Sequence, residues 1–97
     1  MDQPDPAPPV IHDAKALRFR IDLPGGTAEL AYVPVDDGVV DLYSTWVPPA
    51  ERGRRVAARL VTAALTHARD RNLRVVPSCW YVRRWFDAHP EQHDLLA

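Results

Sequence analysis

The sequence contains a single cysteine, Cys79, and so has no internal disulfide. It also lacks an apolar run of the roughly 18 residues that a membrane-spanning helix needs. The N-terminus is acidic and proline-rich, without the basic start and apolar centre of a secretory signal. These absences exclude a disulfide-rich scaffold and a membrane span. They favour a reducing compartment, and we expect a cytoplasmic protein that does not use a membrane.

Sequence motifs for metals and nucleotide phosphates are also absent. The four histidines, at positions 12, 67, 89 and 93, are accompanied by neither a His-Glu-x-x-His motif nor a cysteine pair. Pro90 lies between His89 and His93 and disfavours a shared helical face for them. A nucleophile elbow, a P-loop and a dinucleotide fingerprint do not occur. We therefore predict no metal site.

The length of 97 residues fits one domain. Residues 1–9 hold four of the ten prolines and show no apolar periodicity. We predict a disordered, proline-rich leader over residues 1–11 and a single domain over residues 12–97. His12 and Asp13 precede the first predicted strand, and we expect them to belong to a flexible end.

Alternating apolar and polar residues predict three consecutive strands. They cover residues 17–23, 27–33 and 39–47. Pro24-Gly25-Gly26 and Asp36-Asp37-Gly38 provide the turns, and Pro34 should end the second strand. The third strand is apolar on both faces apart from a few polar positions, so we expect it to be central and buried on both sides. Short turns between neighbours predict an antiparallel meander.

A helix, a strand and a second helix are predicted after the meander. The first helix is predicted over about residues 52–71, with Asn72 as a left-handed cap. Its apolar residues recur at helical spacing: Val56, Ala57, Leu60, Val61, Ala64, Leu65 and Ala68. Residues 73–76 form a short strand and residues 80–88 the second helix. The crossover helix makes the last strand parallel to the third. The predicted fold class is therefore α/β (α+β).

Arginines cluster where the third strand gives way to the first helix. Pro48 and Pro49 stop the strand, and Arg52, Arg54, Arg55 and Arg59 follow around Gly53. Free N–H groups and the positive end of the helix dipole suit an anion at such a place. Nine arginines and one aspartate lie between residues 52 and 85, within a chain of net charge −1. A local anionic ligand and a solvated arginine face both fit this pattern.

Cys79 follows the last strand and opens the second helix. A helix N-terminus favours the thiolate and so raises the reactivity of a cysteine. The alternative is a small, buried apolar residue, the common role of a free cysteine, and the residues alone favour it. Of the neighbouring aromatics, Trp80 or Tyr81 is expected to line a pocket beside Cys79.

Four segments together resemble the small, minimal branch of the Gcn5-related N-acetyltransferases. They are Thr45-Trp46-Val47-Pro48-Pro49, Arg52-Gly53-Arg54-Arg55-Val56-Ala57, Val75-Val76-Pro77-Ser78-Cys79 and His89-Pro90-Glu91. The likeness spans about residues 12–95. It implies an acyl-CoA N-acyltransferase-like fold in which the third and fourth predicted strands separate to admit pantetheine.

The resemblance also implies site residues and a reaction. Acetyl-CoA would be the cosubstrate, held by the following residues: Val47, Arg52, Gly53, Arg54, Arg55, Val56 and Ala57. Cys79 occupies the position of a cysteine considered catalytic in this branch. The implied activity is acetyl transfer from acetyl-CoA to an amine, on a small molecule or a protein.

Three positions depart from the pattern of this branch, and they keep other functions open. Arg55 replaces a glycine, Ser44 a histidine and Trp46 a glutamate. Arg55 would hinder the close approach of a phosphate to the backbone. Ser44 and Trp46 remove the polar groups that would handle protons, and they favour a catalytically degenerate CoA-binding or protein-interaction module as the alternative. A nucleic-acid module, suggested by the arginine density, is the less favoured third hypothesis.

Overall fold

The computed structural model describes residues 8–97. Its elements are β1 (Ile11–Asp13), β2 (Arg18–Leu23), β3 (Gly26–Asp36), β4 (Val39–Trp46), α1 (Val56–Asp70), β5 (Arg74–Val76) and α2 (Trp80–Ala88). Short 3-10 segments occupy Pro49–Glu51 and Pro90–Leu95. Most of the predicted leader lies outside the described residues, so its boundary with the domain stays a prediction.

The strands form one mixed sheet in the order β1-β2-β3-β4-β5. The first four are antiparallel neighbours, whereas β5 runs parallel to β4. Helix α1 is the crossover that a parallel pair requires. The predicted α+β fold is confirmed, with a meander of four strands in place of three.

Strand β1 overturns the expectation of a flexible end at His12 and Asp13. Residues 11–13 pair with β2, and the His12 ring stacks on Phe19 with centroids 4.3 Å apart. A nitrogen of the same ring lies 2.6 Å from the Tyr32 hydroxyl. Three residues are too few to carry a visible period, so β1 is fixed by contacts that are distant in sequence.

Both helices pack on one face of the sheet, where they share a hydrophobic core. The buried apolar residues are Phe19, Ile21, Ala28, Leu30, Tyr32, Leu42, Val56, Leu60, Val61, Ala64, Leu65, Ala68, Val75, Cys79, Val82, Phe86 and Leu95. Side chains on the opposite face are half-buried or exposed, as in the ion pair of Arg18 with Glu29.

The prediction that the third strand, now β4, is central and buried on both sides is wrong. The middle strand is β3, and in β4 only Leu42 is buried. Tyr43 is 51% and Trp46 50% exposed. Apolar residues on both faces indicated double burial, but the helices cover only one face of this sheet.

Pro34 does not end the second predicted strand, because β3 continues to Asp36. Pairing is irregular there: Pro34 faces Val40 and Asp36 faces Val39, which leaves Val35 as an extra residue. A bulge of this kind interrupts the ladder and so tolerates a proline. The predicted turn at Asp37-Gly38 is confirmed, with Gly38 at a φ of 71°.

Helix α1 begins at Val56, four residues later than predicted. Residues 52–55 instead form a loop, the arginine loop. At the other end the prediction for Asn72 is confirmed, since its φ is 57° and the Leu73 N–H donates to the Ala68 carbonyl at 2.8 Å. That bond satisfies one of the last carbonyls of the helix, as in a Schellman motif.

Candidate functional site

The site begins where β4 and β5 separate. Their parallel ladder covers only residues 39–41 and 74–76, after which the Cys79 N–H donates to the Leu42 carbonyl at 3.0 Å. Tyr43 is an extra residue in β4, because Leu42 faces Tyr32 whereas Ser44 faces Ala31. Such a bulge bends its strand. Past this point the ladder ends and a groove opens.

The groove has a volume of about 420 Å³ and lies between the end of β4 and the start of α2. It is lined by Thr45, Trp46, Val47, Arg52, Ala57, Trp80 and Tyr81. The separation of the strands therefore leaves space of the kind that the resemblance implied for pantetheine. Trp80 and Tyr81 both line it, next to Cys79 in the chain.

A second cavity, of about 250 Å³, adjoins the groove at the arginine loop. Its lining residues are Val47, Glu51, Arg52, Gly53, Arg55, Val56, Ala57 and Tyr81. Four residues line both cavities: Val47, Arg52, Ala57 and Tyr81. The structure thus brings together six of the seven residues that the resemblance assigned to CoA. Arg54 is the exception, and its side chain is 72% exposed.

The arginine loop leaves the first N–H groups of α1 without a side-chain cap. Gly53 has a φ of 82° and Arg55, at the N-cap, a φ of 61°, both in the left-handed region. No atom lies within 4 Å of a Cβ built at Gly53, so its backbone conformation and not crowding favours glycine. Uncapped N–H groups and the dipole end make this helix start suited to a phosphate.

The buried Glu51 connects the arginine loop to the β2–β3 turn, a role that the sequence did not predict. The residue is 6% exposed, and its Oε1 accepts the N–H of Gly25 at 2.9 Å. Its Oε2 lies 3.8 Å from Nη1 of Arg54. A Cβ on Gly25 would lie 2.9 Å from that same Oε1, so the turn needs glycine for the carboxylate to approach. These residues are 26 positions apart, and no local pattern connects them.

Arg52 is held between backbone and an aromatic ring. Its Nε donates to the Val47 carbonyl at 3.0 Å, and its guanidinium carbon lies 5.1 Å from the Trp46 ring centroid. A cation over an indole face is an attractive arrangement. The departure at Trp46 therefore has a structural consequence, because the ring positions an arginine of the groove.

Cys79 lies at the N-cap of α2 with only 8% of its surface exposed, and it belongs to the hydrophobic core. Its sulfur is 3.4 Å from Oγ1 of Thr45, which lines the groove. The Thr45 side chain therefore lies between the thiol and the groove. Its packing matches the role of a small buried residue, the alternative that the sequence left open.

Among residues 8–97, no histidine lines the groove or the adjoining cavity. His12 and His67 meet beside Phe19 and Tyr32, with the two imidazole centroids 4.4 Å apart. His67 is near the C-terminal end of α1, about 16 Å along the helix from Val56 at 1.5 Å per residue. Burial lowers the pKa of both histidines and raises the pKa of Tyr32. No group of three metal-ligating side chains is found in residues 8–97.

Comparison with known proteins identifies the family. The chain is 37% identical to Protein NATD1 of Gallus gallus over 83 residues, which cover 84% of this chain and 76% of that protein. Protein NATD1 of Homo sapiens is 36% identical over 83 residues, with 84% and 74% covered. The GCN5-related N-acetyl-transferase family model matches residues 18–95. The chain belongs to the GCN5-related N-acetyltransferase family.

The fold of this family is also found in a solved relative. The solution structure of a GCN5-like protein from Staphylococcus aureus matches with a TM-score of 0.72 at 22% identity, over 94% of this chain and 89% of that one. The mixed sheet and its two helices are therefore those of a minimal GCN5-related N-acetyltransferase.

Among residues 8–97, no helix has the length and hydropathy to cross a bilayer.

Proposed function

We propose that the chain transfers an acetyl group from acetyl-CoA to an amine. One observation carries this proposal: the cavity at the uncapped start of α1 continues into the groove between β4 and α2. The first has the cations and N–H groups for a diphosphate. The second is larger, about 420 Å³ against about 250 Å³, and three aromatic side chains line it, which suits a pantetheine arm.

The diphosphate is proposed to bind at the arginine loop. Val56 and Ala57 open α1 and supply backbone N–H groups, and Gly53 allows the chain to turn without a side chain on the ligand side. Arg52 supplies positive charge to the cavity, which Arg55 also lines at the start of the helix. Arg54 contributes from the rim, since its guanidinium is exposed. Val47 lies at the junction of the two cavities and would contact the start of the pantetheine.

The thioester is proposed to lie at the Thr45 end of the groove, above Cys79. The amine nitrogen attacks the carbonyl carbon, a C–N bond forms and the C–S bond breaks. The departing CoA thiolate takes the proton that the nitrogen loses. Direct transfer of this kind needs orientation and N–H groups that polarise the carbonyl, and no covalent enzyme intermediate. Cys79 then forms the floor of the acyl end.

Cys79→Ala separates direct transfer from a covalent route through Cys79. Direct transfer predicts that the variant still acetylates, at a reduced rate, whereas a covalent route predicts complete loss. The sequence alone predicts that iodoacetamide labels Cys79 faster than a free thiol near pH 7. Its burial reverses this expectation, so labelling should be slow until the protein is denatured. Fast labelling of the folded protein, blocked by CoA, would restore the catalytic assignment.

Thermal unfolding with and without acetyl-CoA tests the proposed binding. A ligand at about 100 times its dissociation constant adds about 2.7 kcal/mol, which is roughly 10 °C or more in a domain of this size. Arg52→Ala should reduce the shift, while Arg83→Ala, an exposed arginine of α2 that lines neither cavity, should not. An unchanged midpoint in the unaltered protein would contradict acyl-CoA binding.

A CoA-binding module without catalysis is the second candidate. It is favoured by Ser44 and Trp46, which supply no acid–base group, and by the burial of Cys79. A thermal shift with acetyl-CoA but no release of CoA thiol with any amine would support it. Turnover with any amine would exclude it.

A nucleic-acid module is the weaker alternative, because several arginines already have partners. Arg69 bonds Asp94 at 2.8 Å, Arg74 the Asp94 carbonyl at 2.9 Å and Arg59 the Pro8 carbonyl. Nucleic-acid binding would fall steeply with salt through counterion release.

We propose that the protein acts in the cytoplasm, where acetyl-CoA is available and Cys79 stays reduced.

A further inference from the structure

Two exposed indoles form the outer end of the groove. Trp46 is 50% and Trp80 67% exposed, and both line the same cavity. Large aromatic side chains normally bury most of their surface, so two of them at one opening suggest a ligand-binding surface. Their exposure has no explanation in the packing of the domain.

Arginines hold both indoles in place. Arg52 lies over the Trp46 ring and is itself bonded to the Val47 carbonyl. The guanidinium carbon of Arg84 lies 5.8 Å from the Trp80 ring centroid, and the Tyr81 ring meets that indole edge-on at 6.0 Å. The opening therefore combines flat apolar surfaces with positive charge.

No aspartate or glutamate lines the groove within residues 8–97. Glu51, in the adjoining cavity, gives one oxygen to the Gly25 N–H and has the other near Arg54. Asp41 is bonded to Ser78 at 2.8 Å. A protonated amine or a polyamine would meet like charge here without a counter-ion. An acceptor with an anionic group would meet the arginines.

Among residues 8–97, no histidine or carboxylate lines the groove to deprotonate an ammonium ion. His12 and His67 lie together at the other end of α1. The lone pair of the nitrogen must be free before it can attack the thioester. An aromatic amine meets this condition without a base, because it is already uncharged at neutral pH.

We propose that the acceptor is a small aromatic amine that carries an acidic group. This inference rests on the proposed acetyl transfer and specifies its substrate class. The ring of the acceptor lies against Trp46 and Trp80, and its carboxylate faces Arg52 or Arg84. The amine nitrogen forms the amide bond with the acetyl carbon. CoA leaves as the thiolate and takes the released proton, so the products are an N-aryl acetamide and CoA.

The test compares three amines at equal concentration and at saturating acetyl-CoA. The measured quantity is the rate at which CoA thiol is released. The first is 4-aminobenzoate, and the second is 4-(aminomethyl)benzoate, which keeps ring and carboxylate but has a strongly basic amine. The third is spermidine, a polycation. We expect 4-aminobenzoate to be acetylated fastest. Preference for spermidine or for the basic amine would overturn the inference and leave the proposed function standing.

Trp80 provides the matched variant because it lines the groove but not the cavity at the arginine loop. Trp80→Ala should raise the KM for 4-aminobenzoate about tenfold, as expected for loss of a stacked aromatic ring. The KM for acetyl-CoA should rise less than that for 4-aminobenzoate, because the proposed diphosphate contacts at residues 52–57 remain, and Trp80→Phe should restore most of the affinity for 4-aminobenzoate. Trp85→Phe is the control, since Trp85 stacks on His89 away from the groove. An unchanged KM in Trp80→Ala would overturn the inference.

A binding measurement that does not depend on turnover separates the two proposals. Calorimetric titration of the CoA-saturated protein with 4-aminobenzoate should give heat that Trp80→Ala removes. If acetyl-CoA shifts the melting point but no amine is acetylated, the proposed function fails and this inference fails with it. If amines are acetylated but 4-aminobenzoate neither binds nor reacts, only this inference fails.

Discussion

The two ends of α1 differ in how completely their polar groups are satisfied. At the C-terminal end, Leu73 and Asn72 donate back to the last turn, and His12 and His67 are packed with Phe19. At the N-terminal end no side chain caps the helix, and arginines and indoles are exposed. Unused hydrogen-bonding capacity next to open space is what a ligand site needs. We therefore associate stability with the first end, the closed end, and propose that the second, the open end, binds the ligand.

The largest difference between the two ends should appear in the free energy of unfolding when one aromatic side chain is removed from each. Phe19 is 3% exposed, so Phe19→Ala should lower the free energy of unfolding by about 3–5 kcal/mol. Trp80 is 67% exposed, and Trp80→Ala should change it by no more than about 0.5 kcal/mol. Urea denaturation measures both. Equal losses would show that the open end is part of the stabilising core.

Glu51 should matter to both stability and binding, because it connects the open end to the β2–β3 turn. Glu51→Ala leaves the Gly25 N–H without its partner and should cost about 1–3 kcal/mol. It should also weaken acetyl-CoA binding by loosening the loop. Glu51→Gln keeps a side-chain oxygen for that N–H and serves as the control. Full stability in Glu51→Ala would mean that water replaces the carboxylate.

Arg55 allows a test of the open end with little disturbance of the fold. From the sequence, Arg55→Gly is expected to tighten CoA binding but to weaken the first turn of the helix. The structure changes the second half of that prediction, because Arg55 is the N-cap and has a φ of 61°. Glycine adopts this conformation readily and should stabilise the chain by up to about 1 kcal/mol.

Calorimetric titration of Arg55→Gly and Arg55→Ala with CoA at equal salt separates charge from obstruction. Tighter binding by the glycine variant alone would support obstruction by the Cβ. Weaker binding by both would mean that Arg55 is a phosphate ligand, and the prediction would be wrong.

The smallest effect should be the pH response of the closed end. Burial lowers the pKa of His12 and of His67 below the ordinary value of 6.5, and Arg71 lowers each pKa further. For His67, the neighbouring His12 also lowers the pKa, while Asp13 and Asp70 act in the opposite direction on His12 and His67 respectively. The folded state therefore binds protons less readily than the unfolded chain.

The sign of the pH effect follows from linkage. At a pH well above 6.5 both histidines are neutral in either state, and their packing contributes fully to stability. As the pH falls through that value the unfolded chain takes up protons first, so stability decreases. Urea midpoints at about pH 7.5 and about pH 5.5 should differ, and His67→Gln should reduce the difference. An equal difference in the variant would exclude the histidine pair as its source.

Local patterns predicted most of the secondary structure. The alternation in residues 17–23, the Asp-Gly turn and the helical spacing from Val56 to Ala68 are short-range signals, and the structure agrees with each. Strand β1 and the start of α1 were missed. The first depends on packing against Phe19 and His67, and the second on the left-handed backbone at Gly53 and Arg55.

The residues of the candidate site could be chosen from the sequence, but the contacts that hold them in place could not. The arginine loop and the start of α2 came from motifs within the chain. The contact of Glu51 with Gly25, the bulge at Tyr43 and the cover of Thr45 over Cys79 join residues from different elements. Such contacts depend on the folded register, which a single sequence does not display.

The most direct test is an NMR titration of isotope-labelled protein with acetyl-CoA. The contrast between the two ends predicts that backbone amide shifts are concentrated at residues 45–47, 52–57 and 80–81. The amides of His12, Phe19 and His67 should change little. Shifts concentrated around His12 and His67, or none at saturating acetyl-CoA, would contradict the assignment of binding to the open end of α1.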